Sequence, residues 1–182
     1  MRAPGRLFAV AGPSGAGKDT LIEAACRARP GLVRARRVIT RPEAAGGEDF
    51  EGVSAAAFEQ RRAAGAFAIH WQAHGLCYAI PAGIDTDLAA GRDVIFNGSR
   101  AALAQAAARY PGLRVLLVRA SPGVLAQRLT ARGREDAARI AARLARRVPD
   151  LPAGVPVVEI DNSGTVAEGA AAMLAAIQPE RA

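Results

Sequence analysis

Three observations predict an α/β domain with a mainly parallel sheet. Short apolar runs alternate with amphipathic helical segments along the 182 residues, the order that builds parallel strands joined by helical crossovers. The first apolar run passes directly into a glycine-rich loop and then into a helix. No internal repeat or polar low-complexity tract interrupts the pattern, which argues against disorder. The length suits a single domain.

The elements follow in order. Residues 7–11, Leu-Phe-Ala-Val-Ala, are continuously apolar, as a strand buried on both faces is. Residues 12–17 are a loop. Residues 18–29 read as a helix with Leu21, Ile22, Ala25 and Cys26 on one face, stopped by Pro30-Gly31. Residues 33–40 alternate apolar and arginine side chains, which predicts one half-exposed strand. Residues 42–52 are a loop rich in Gly and Glu. Ser54 caps a helix running to about residue 64, with Gly65 as its stop. Residues 66–71 and 76–80 are short strands joined by a turn, and Pro81 in the favoured first position opens a helix to about residue 90. Buried strands are expected at 93–96 and 113–118, with a helix at 99–109 between them. Ser121-Pro122 starts a helix to residue 132, and beyond Gly133 an arginine-rich helix extends to about residue 148. A Pro-rich loop, a last strand at 157–160 and a closing helix at 165–177 complete the chain.

Composition excludes several classes. No stretch approaches 18 strongly apolar residues, so no transmembrane helix and no membrane partner is expected. The apolar run after Arg6 is too short for a signal peptide. Cys26 and Cys77 form neither a CxxC pair nor a ligand cluster, which fits a reduced cytoplasm. The charge of +7 would suit a nucleic-acid binder. Of the 24 basic residues, however, 23 are arginines spread over the whole chain beside 44 alanines, the mark of a GC-rich coding bias, so no nucleic-acid partner is expected. A homodimer is compatible with the sequence.

The only lysine is Lys18. It ends Gly12-Pro13-Ser14-Gly15-Ala16-Gly17-Lys18, a GxxxxGK match placed between a strand and a helix, as a phosphate-binding loop requires. The glycines let backbone N–H groups point inward at phosphate oxygens, and the helix N-terminus adds a favourable dipole. Lys18 then neutralises the β- and γ-phosphates of a nucleotide. The Ser or Thr that usually follows and touches Mg²⁺ is replaced by Asp19, with Thr20 next. A carboxylate beside triphosphate oxygens is unfavourable without a cation between them, so Asp19 is expected to help hold Mg²⁺, directly or through water.

Four segments extend the resemblance beyond the loop. Residues 12–18 resemble the opening of guanylate kinases. Thr40-Arg41-Pro42 with Gly47-Glu48 resembles their acceptor-phosphate segment, and His74-Gly75-Leu76-Cys77-Tyr78 resembles their HGNxYG segment. Arg128 to Gly133, with Ile140, Arg143 and Leu144, is similar to their lid. The likeness spans nearly the whole chain. It implies a guanylate-kinase-like P-loop NTPase fold in one domain. The core would occupy residues 1–33 and 93–182, with an acceptor-binding insertion at about 34–92 and a helical lid at about 128–147.

The departures bear on substrate. In guanylate kinases a Glu upstream of the His-Gly pair and a Thr after the Tyr contact the guanine. Here Ile69 or His70 falls at the first position and Ile80 at the second. Isoleucine leaves guanine's donors unpaired, which costs a few kcal/mol of discrimination. The second arginine of the acceptor segment is also missing, with Glu43 and Ala44 in that region. Arg41 and Tyr78, which match holders of the acceptor phosphate, remain. A phosphate clamp kept without a base reader resembles the ribose 1,5-bisphosphate phosphokinases of phosphonate breakdown. The strings GKDTL, RRVITRP, GGE, FAIHWQAHGLCYAIP and NGSRA are similar to that family too.

This resemblance implies ATP as donor with Mg²⁺, ribose 1,5-bisphosphate as acceptor and 5-phospho-α-D-ribose 1-diphosphate as product. Lys18, Arg132 and Arg143 would be catalytic, with Arg128 and residues 12–20 on the nucleotide. Arg41, Glu48, His74, Tyr78 and Asn97 would meet the phosphosugar. The acceptor is already an anion, so alignment and charge neutralisation suffice without a general base.

Several residues keep alternatives. Arg128, Arg132, Arg139 and Arg143 are spaced to share one side of a lid, or a solvated helix face. No clear Walker-B aspartate follows the strand at 93–96; Asn97 or Ser99 could bond ribose or a metal-bound water. Asp93, at the wrong end of that strand, is expected to be a solvated cap. His70 and His74 have the spacing of a zinc HExxH motif but lack its glutamate and its helix. Glu48 could accept from ribose hydroxyls or face solvent. Asp161-Asn162-Ser163-Gly164 follows the last strand, where related kinases pass the adenine, and a plain turn accounts for it equally. Two other readings compete: a guanylate or other nucleoside monophosphate kinase, and a non-catalytic guanylate-kinase-like interaction module.

Overall fold

A computed structural model describes residues 3–131 and 151–178. The elements run β1 (Leu7–Ala11), α1 (Lys18–Ala28), β2 (Val33–Arg34), β3 (Arg37–Ile39), a 3-10 turn (Glu43–Ala45), β4 (Phe50–Gly52) and α2 (Ala55–Ala63). They continue with β5 (Phe67–Ala73), β6 (Leu76–Pro81), α3 (Ile84–Ala89), β7 (Val94–Asn97), α4 (Arg100–Arg109), β8 (Arg114–Arg119) and α5 (Pro122–Ala131). Two further elements close the described chain, β9 (Val157–Asp161) and α6, which spans Val166–Ala176.

The strands form two sheets. One is five-stranded in the order β2-β7-β1-β8-β9, with every pair parallel. Its residues alternate between two cores, as the period of two demands. Leu7, Ala9, Val94, Phe96, Val115 and Leu117 pack on one face with Leu103 and Ala106 of α4. Phe8, Val10, Ile95, Leu116 and Val118 pack on the other, against Leu21 and Ile22 of α1 and Met173 of α6. Both faces are covered, which is why these strands read as continuous apolar runs. Because β7 and β8 flank β1 on opposite sides, the strand order reverses at the C-terminal end of β1, where open α/β sheets bind ligands.

The second sheet is four-stranded, in the order β4-β3-β6-β5. One face packs Val38, Phe67 and Ala79 against Phe58 of α2. Ile69, Trp71 and Ile80 on the other face join the core beneath the parallel sheet. Ser54 caps α2 as the sequence predicts, accepting from the Ala57 N–H at 3.1 Å.

Four local expectations change. The single strand expected over 33–40 is two: β2 pairs with β7, whereas β3 pairs with β4 and β6. Ala35 bridges them, buried and donating its N–H to Ile95 at 2.9 Å, so the second sheet begins after it and Arg34 belongs to the parallel core. Within the loop expected over 42–52, Phe50–Gly52 form β4 beside β3, leaving the loop shorter. Pro81 does not open a helix; it ends β6, opposite Phe67, and α3 starts three residues later. Finally, Asp93 is a buried clamp, not a solvated cap. It accepts from the Arg6 backbone at 2.7 Å, from Arg6 Nη2 at 2.6 Å and from Arg29 Nη2 at 2.7 Å. Burial pushes its carboxyl up, but the hydrogen bonds from Arg6 and Arg29 and the Arg6 charge outweigh that and hold it below the usual range.

Candidate active site

The loop after β1 folds as its glycines dictate. Gly12 has φ 150, and a Cβ there would sit 2.2 Å from the Val118 carbonyl oxygen. Gly17 has φ 89, and a Cβ there would lie 2.6 Å from Asn162 Nδ2. No larger residue fits either place. Lys18 curls over the loop and donates through Nζ to the Gly12 and Pro13 carbonyls at 3.0 Å each. Its charge is thus fixed above the first turn of α1, where the helix N-terminus favours an anion. Gly15 and Ala16 are buried, Pro13 and Ser14 line the rim, and Thr20 is exposed on α1.

Two segments distant in sequence hold this loop. Asn162, 2 % exposed at the end of β9, donates through Nδ2 to the Ala16 carbonyl at 2.7 Å. Arg128 of α5 points its Nη1 at the same carbonyl from 3.4 Å. Asn97, at the C-terminal end of β7, donates through Nδ2 to both oxygens of Asp19 at 2.9 Å each. Arg34 of β2 reaches the same carboxylate at 3.3 Å. Asn97 is 6 % exposed, and its Oδ1 is buried without a partner.

The second sheet carries the acceptor-side candidates. Arg41 donates through Nη2 to the Gly46 carbonyl at 3.0 Å and lies 4.4 Å over the Phe50 ring. Tyr78 stacks on Trp71 with ring centroids 5.4 Å apart and an interplanar angle of 9°. Burial pushes the Tyr78 phenol up; Arg37 and Arg41 pull against it and Glu48 adds to it, leaving it raised. Tyr78 therefore stays a protonated donor near neutral pH. Glu48 does not face solvent: its carboxylate pairs with Arg37, accepting from Arg37 Nε at 2.8 Å.

Register decides the face of each remaining residue. Ile69 and Ile80 are direct cross-strand partners, both fully buried. His70 pairs with Ala79, which packs with α2, so His70 points away from Tyr78. Of the two residues considered for the guanine-contacting position, Ile69 is on the Tyr78 side. His74, with φ 52, and Gly75, with φ 74, form the exposed two-residue turn between β5 and β6. Hairpin geometry by itself explains that pair. Arg132, Arg139 and Arg143 lie outside the described residues.

No family model matches the chain. Individual relatives do. It is 49% identical over 182 residues to ribose 1,5-bisphosphate phosphokinase PhnN of Pseudomonas paraeruginosa, covering 98% of each chain. The chain belongs to the ribose 1,5-bisphosphate phosphokinase family. A second family member, from Pseudomonas fluorescens, is 53% identical over 173 residues, 90% of both chains. The bifunctional ribose 1,5-bisphosphokinase-thymidine phosphorylase of Cupriavidus necator is 45% identical over 179 residues, and there the chain spans 30% of the relative's length. Among solved structures, guanylate kinase from Anaplasma phagocytophilum superposes with a TM-score of 0.69 at 16% identity, covering 96% of this chain and 85% of that one. A gluconokinase from Sinorhizobium meliloti gives 0.54 at 22% identity, covering 96% and 92%. These likenesses show the α/β P-loop kinase fold of the family.

Three residues of this site escape a reading of the sequence. Arg34 and Arg37 sit in an arginine-rich stretch whose alternation suggests an ordinary exposed strand. Asn162 reads equally as part of an adenine-passing segment or of a plain turn, neither of which predicts a brace on the phosphate loop. Only the buried carbonyl of Ala16, a backbone acceptor within the loop, explains why an amide is needed there.

Proposed function

We propose that this chain transfers the γ-phosphoryl group of ATP to the 1-phosphate of ribose 1,5-bisphosphate, giving ADP and 5-phospho-α-D-ribose 1-diphosphate in phosphonate breakdown. An oxygen of the 1-phosphate forms the new bond to the γ-phosphorus as the bond to the β–γ bridging oxygen breaks. The observation that carries the reading is the pairing of an intact phosphate loop with a second sheet that keeps Arg41 and Tyr78 but sets Ile69 against Ile80. Two buried isoleucines offer no hydrogen bonds at the positions where guanylate kinases read the base. A phosphosugar lacks the base and needs no partner for it.

The residues divide the work by position. Lys18 and the first-turn amides of α1 hold the donor phosphates, with Arg128 alongside. Arg41 and Tyr78 orient the acceptor phosphate, and Arg132 and Arg143 supply the lid's charge. The donor set fits Mg²⁺: a single carboxylate, Asp19, is fixed beside Lys18 by Asn97, whose Oδ1 has no other partner. Among the described residues no three acidic, His or Cys side chains cluster, so the remaining ligands would be water and phosphate oxygens, as is usual for this ion. With ATP in place, Mg²⁺ held at Asp19 would supply neutralising charge to the donor phosphates. The assignment to the cytoplasm is part of the same proposal; among the described residues no helix is long and apolar enough to cross a membrane.

The test is an ADP-release assay offering ribose 1,5-bisphosphate, GMP and other monophosphates side by side. Turnover of the bisphosphate above all others is expected. Robust turnover of GMP with none of the bisphosphate would favour the nucleotide kinase instead. Run across Mg²⁺ concentrations, the assay also tests Asp19: the Asp19→Ala variant should need more Mg²⁺ for half-maximal rate, and an unchanged requirement removes Asp19 from the metal site.

A further inference from the structure

The second sheet holds a cation with no counterpart in the acceptor clamp just described. Arg37, on β3, shares its face with Tyr78 and stands 5.4 Å over that ring. Its guanidinium is paired with Glu48, and the two side chains are only 11 % and 12 % exposed. Arg41 approaches the same carboxylate from its own loop, with Nη2 3.9 Å from Glu48 Oε1. Two guanidiniums thus flank one carboxylate, and the group keeps a net positive charge. Arg41 Nε is buried without a partner, so the group has at least one donor still to be satisfied.

Stability alone does not call for this arrangement. A buried ion pair contributes little net stability, and apolar residues of similar volume would hold the sheet as well. What the carboxylate supplies is aim. It fixes two long side chains whose forks match phosphate oxygens, Arg37 at its Oε2 and Arg41 nearer its Oε1. A monophosphate needs one such anchor. A sugar carrying a phosphate at each end needs two.

We propose that Arg37 is a specificity-determining residue that anchors the substrate's second, non-reacting phosphate, and that Glu48 is a positioning residue holding Arg37 and Arg41 toward separate anions. This rests on the ribose bisphosphate reading and names the part of the site that tells a bisphosphate from a monophosphate.

Two measurements test it, one of them independent of turnover. Trp71 is the only tryptophan and stacks on the ring beneath Arg37, so its fluorescence reports sugar phosphates arriving on this face. Ribose 5-phosphate should bind the wild type and bind Arg37→Gln about 30-fold more weakly, the range for a lost hydrogen-bonded charge pair. In the ADP-release assay, the kcat/KM ratio of ribose 1,5-bisphosphate over ribose 1-phosphate should fall by a similar factor. Glu48→Gln should lower the same ratio less, because both arginines remain. Arg37→Lys, which keeps the charge, should fall between wild type and Arg37→Gln, and it serves as the test if the glutamine variant unfolds. Unchanged ribose 5-phosphate binding, or an equal loss on both acceptors, overturns the proposal. Failure of the wild type to phosphorylate ribose 1,5-bisphosphate would sink the reading of the reaction instead, and the fluorescence titration would still decide whether Arg37 holds a sugar phosphate.

Discussion

On the proposed reading the two sheets share one task, holding phosphate, and are built for it in different ways. The parallel sheet presents phosphate with backbone: a loop of consecutive residues, glycines with φ values of 86 and 89, and the first turn of α1. The mixed sheet presents it with side chains gathered from β3, the loop after it and β6, and holds them in place with a carboxylate and aromatic rings. The first arrangement is local and nearly indifferent to what accepts the phosphoryl group. The second is assembled from residues up to 41 positions apart, Arg37 to Tyr78, and can be retuned one side chain at a time. One kinase fold can therefore exchange acceptors while its donor loop stays the same.

Substitutions in the two regions should behave accordingly. The largest effect is expected from Lys18→Met, which removes the charge at the loop. It should lower kcat by about 10²–10³-fold for every acceptor alike, with the unfolding transition little changed. A loss confined to one acceptor would erase the distinction between the sheets. Arg41→Gln should act on the other side. The acceptor's KM should rise by roughly 10–100-fold while ATP binding, followed by calorimetry, stays near the wild-type value. A parallel loss of ATP affinity would mean the two sites are coupled through the core the sheets share.

The smallest catalytic effect belongs to Asp93→Asn, at the far end of β7. It should cost about 3 kcal/mol of stability at pH 7, since it strips the charge partner from Arg6 and Arg29, and leave kcat nearly unchanged. The sign with pH is fixed by the lowered folded-state value of Asp93. Its contribution is complete above the ordinary carboxylate value of about 3.9 and is lost as pH falls through the folded value. Thermal melts of wild type and variant should therefore converge in acid and separate toward neutral pH.

The same contrast explains what the amino-acid sequence discloses. The phosphate loop is legible because each requirement lies within seven residues: small residues where a Cβ would clash, then a cation. The parallel strands are legible because burial on both faces leaves unbroken apolar runs. At 33–40 the alternation is real, but it carries across two sheets, and nothing local marks Ala35 as the crossing point. Pro81 suits the start of a helix or the last residue of a strand, and pairing with Phe67 decides for the strand. The carboxylates are least legible. Asp93 reads as a solvated cap at a strand start and Glu48 as a ribose partner or an exposed loop acid, whereas arginines at positions 6 and 29 hold the first and Arg37 holds the second.

The Asp93 clamp reaches beyond stability. Arg6 also donates to the carbonyls of Gln178 at 2.8 Å and Ile177 at 2.8 Å, and Arg29 to Ile177 at 2.9 Å. Residues 6 and 177–178 thus meet in one patch, at the end of the parallel strands opposite the phosphate loop. A second catalytic unit joined before Arg6 or after Gln178 would hang from that patch and leave the nucleotide mouth clear. An affinity tag or a surface tether attached at that patch should leave turnover near the wild-type value.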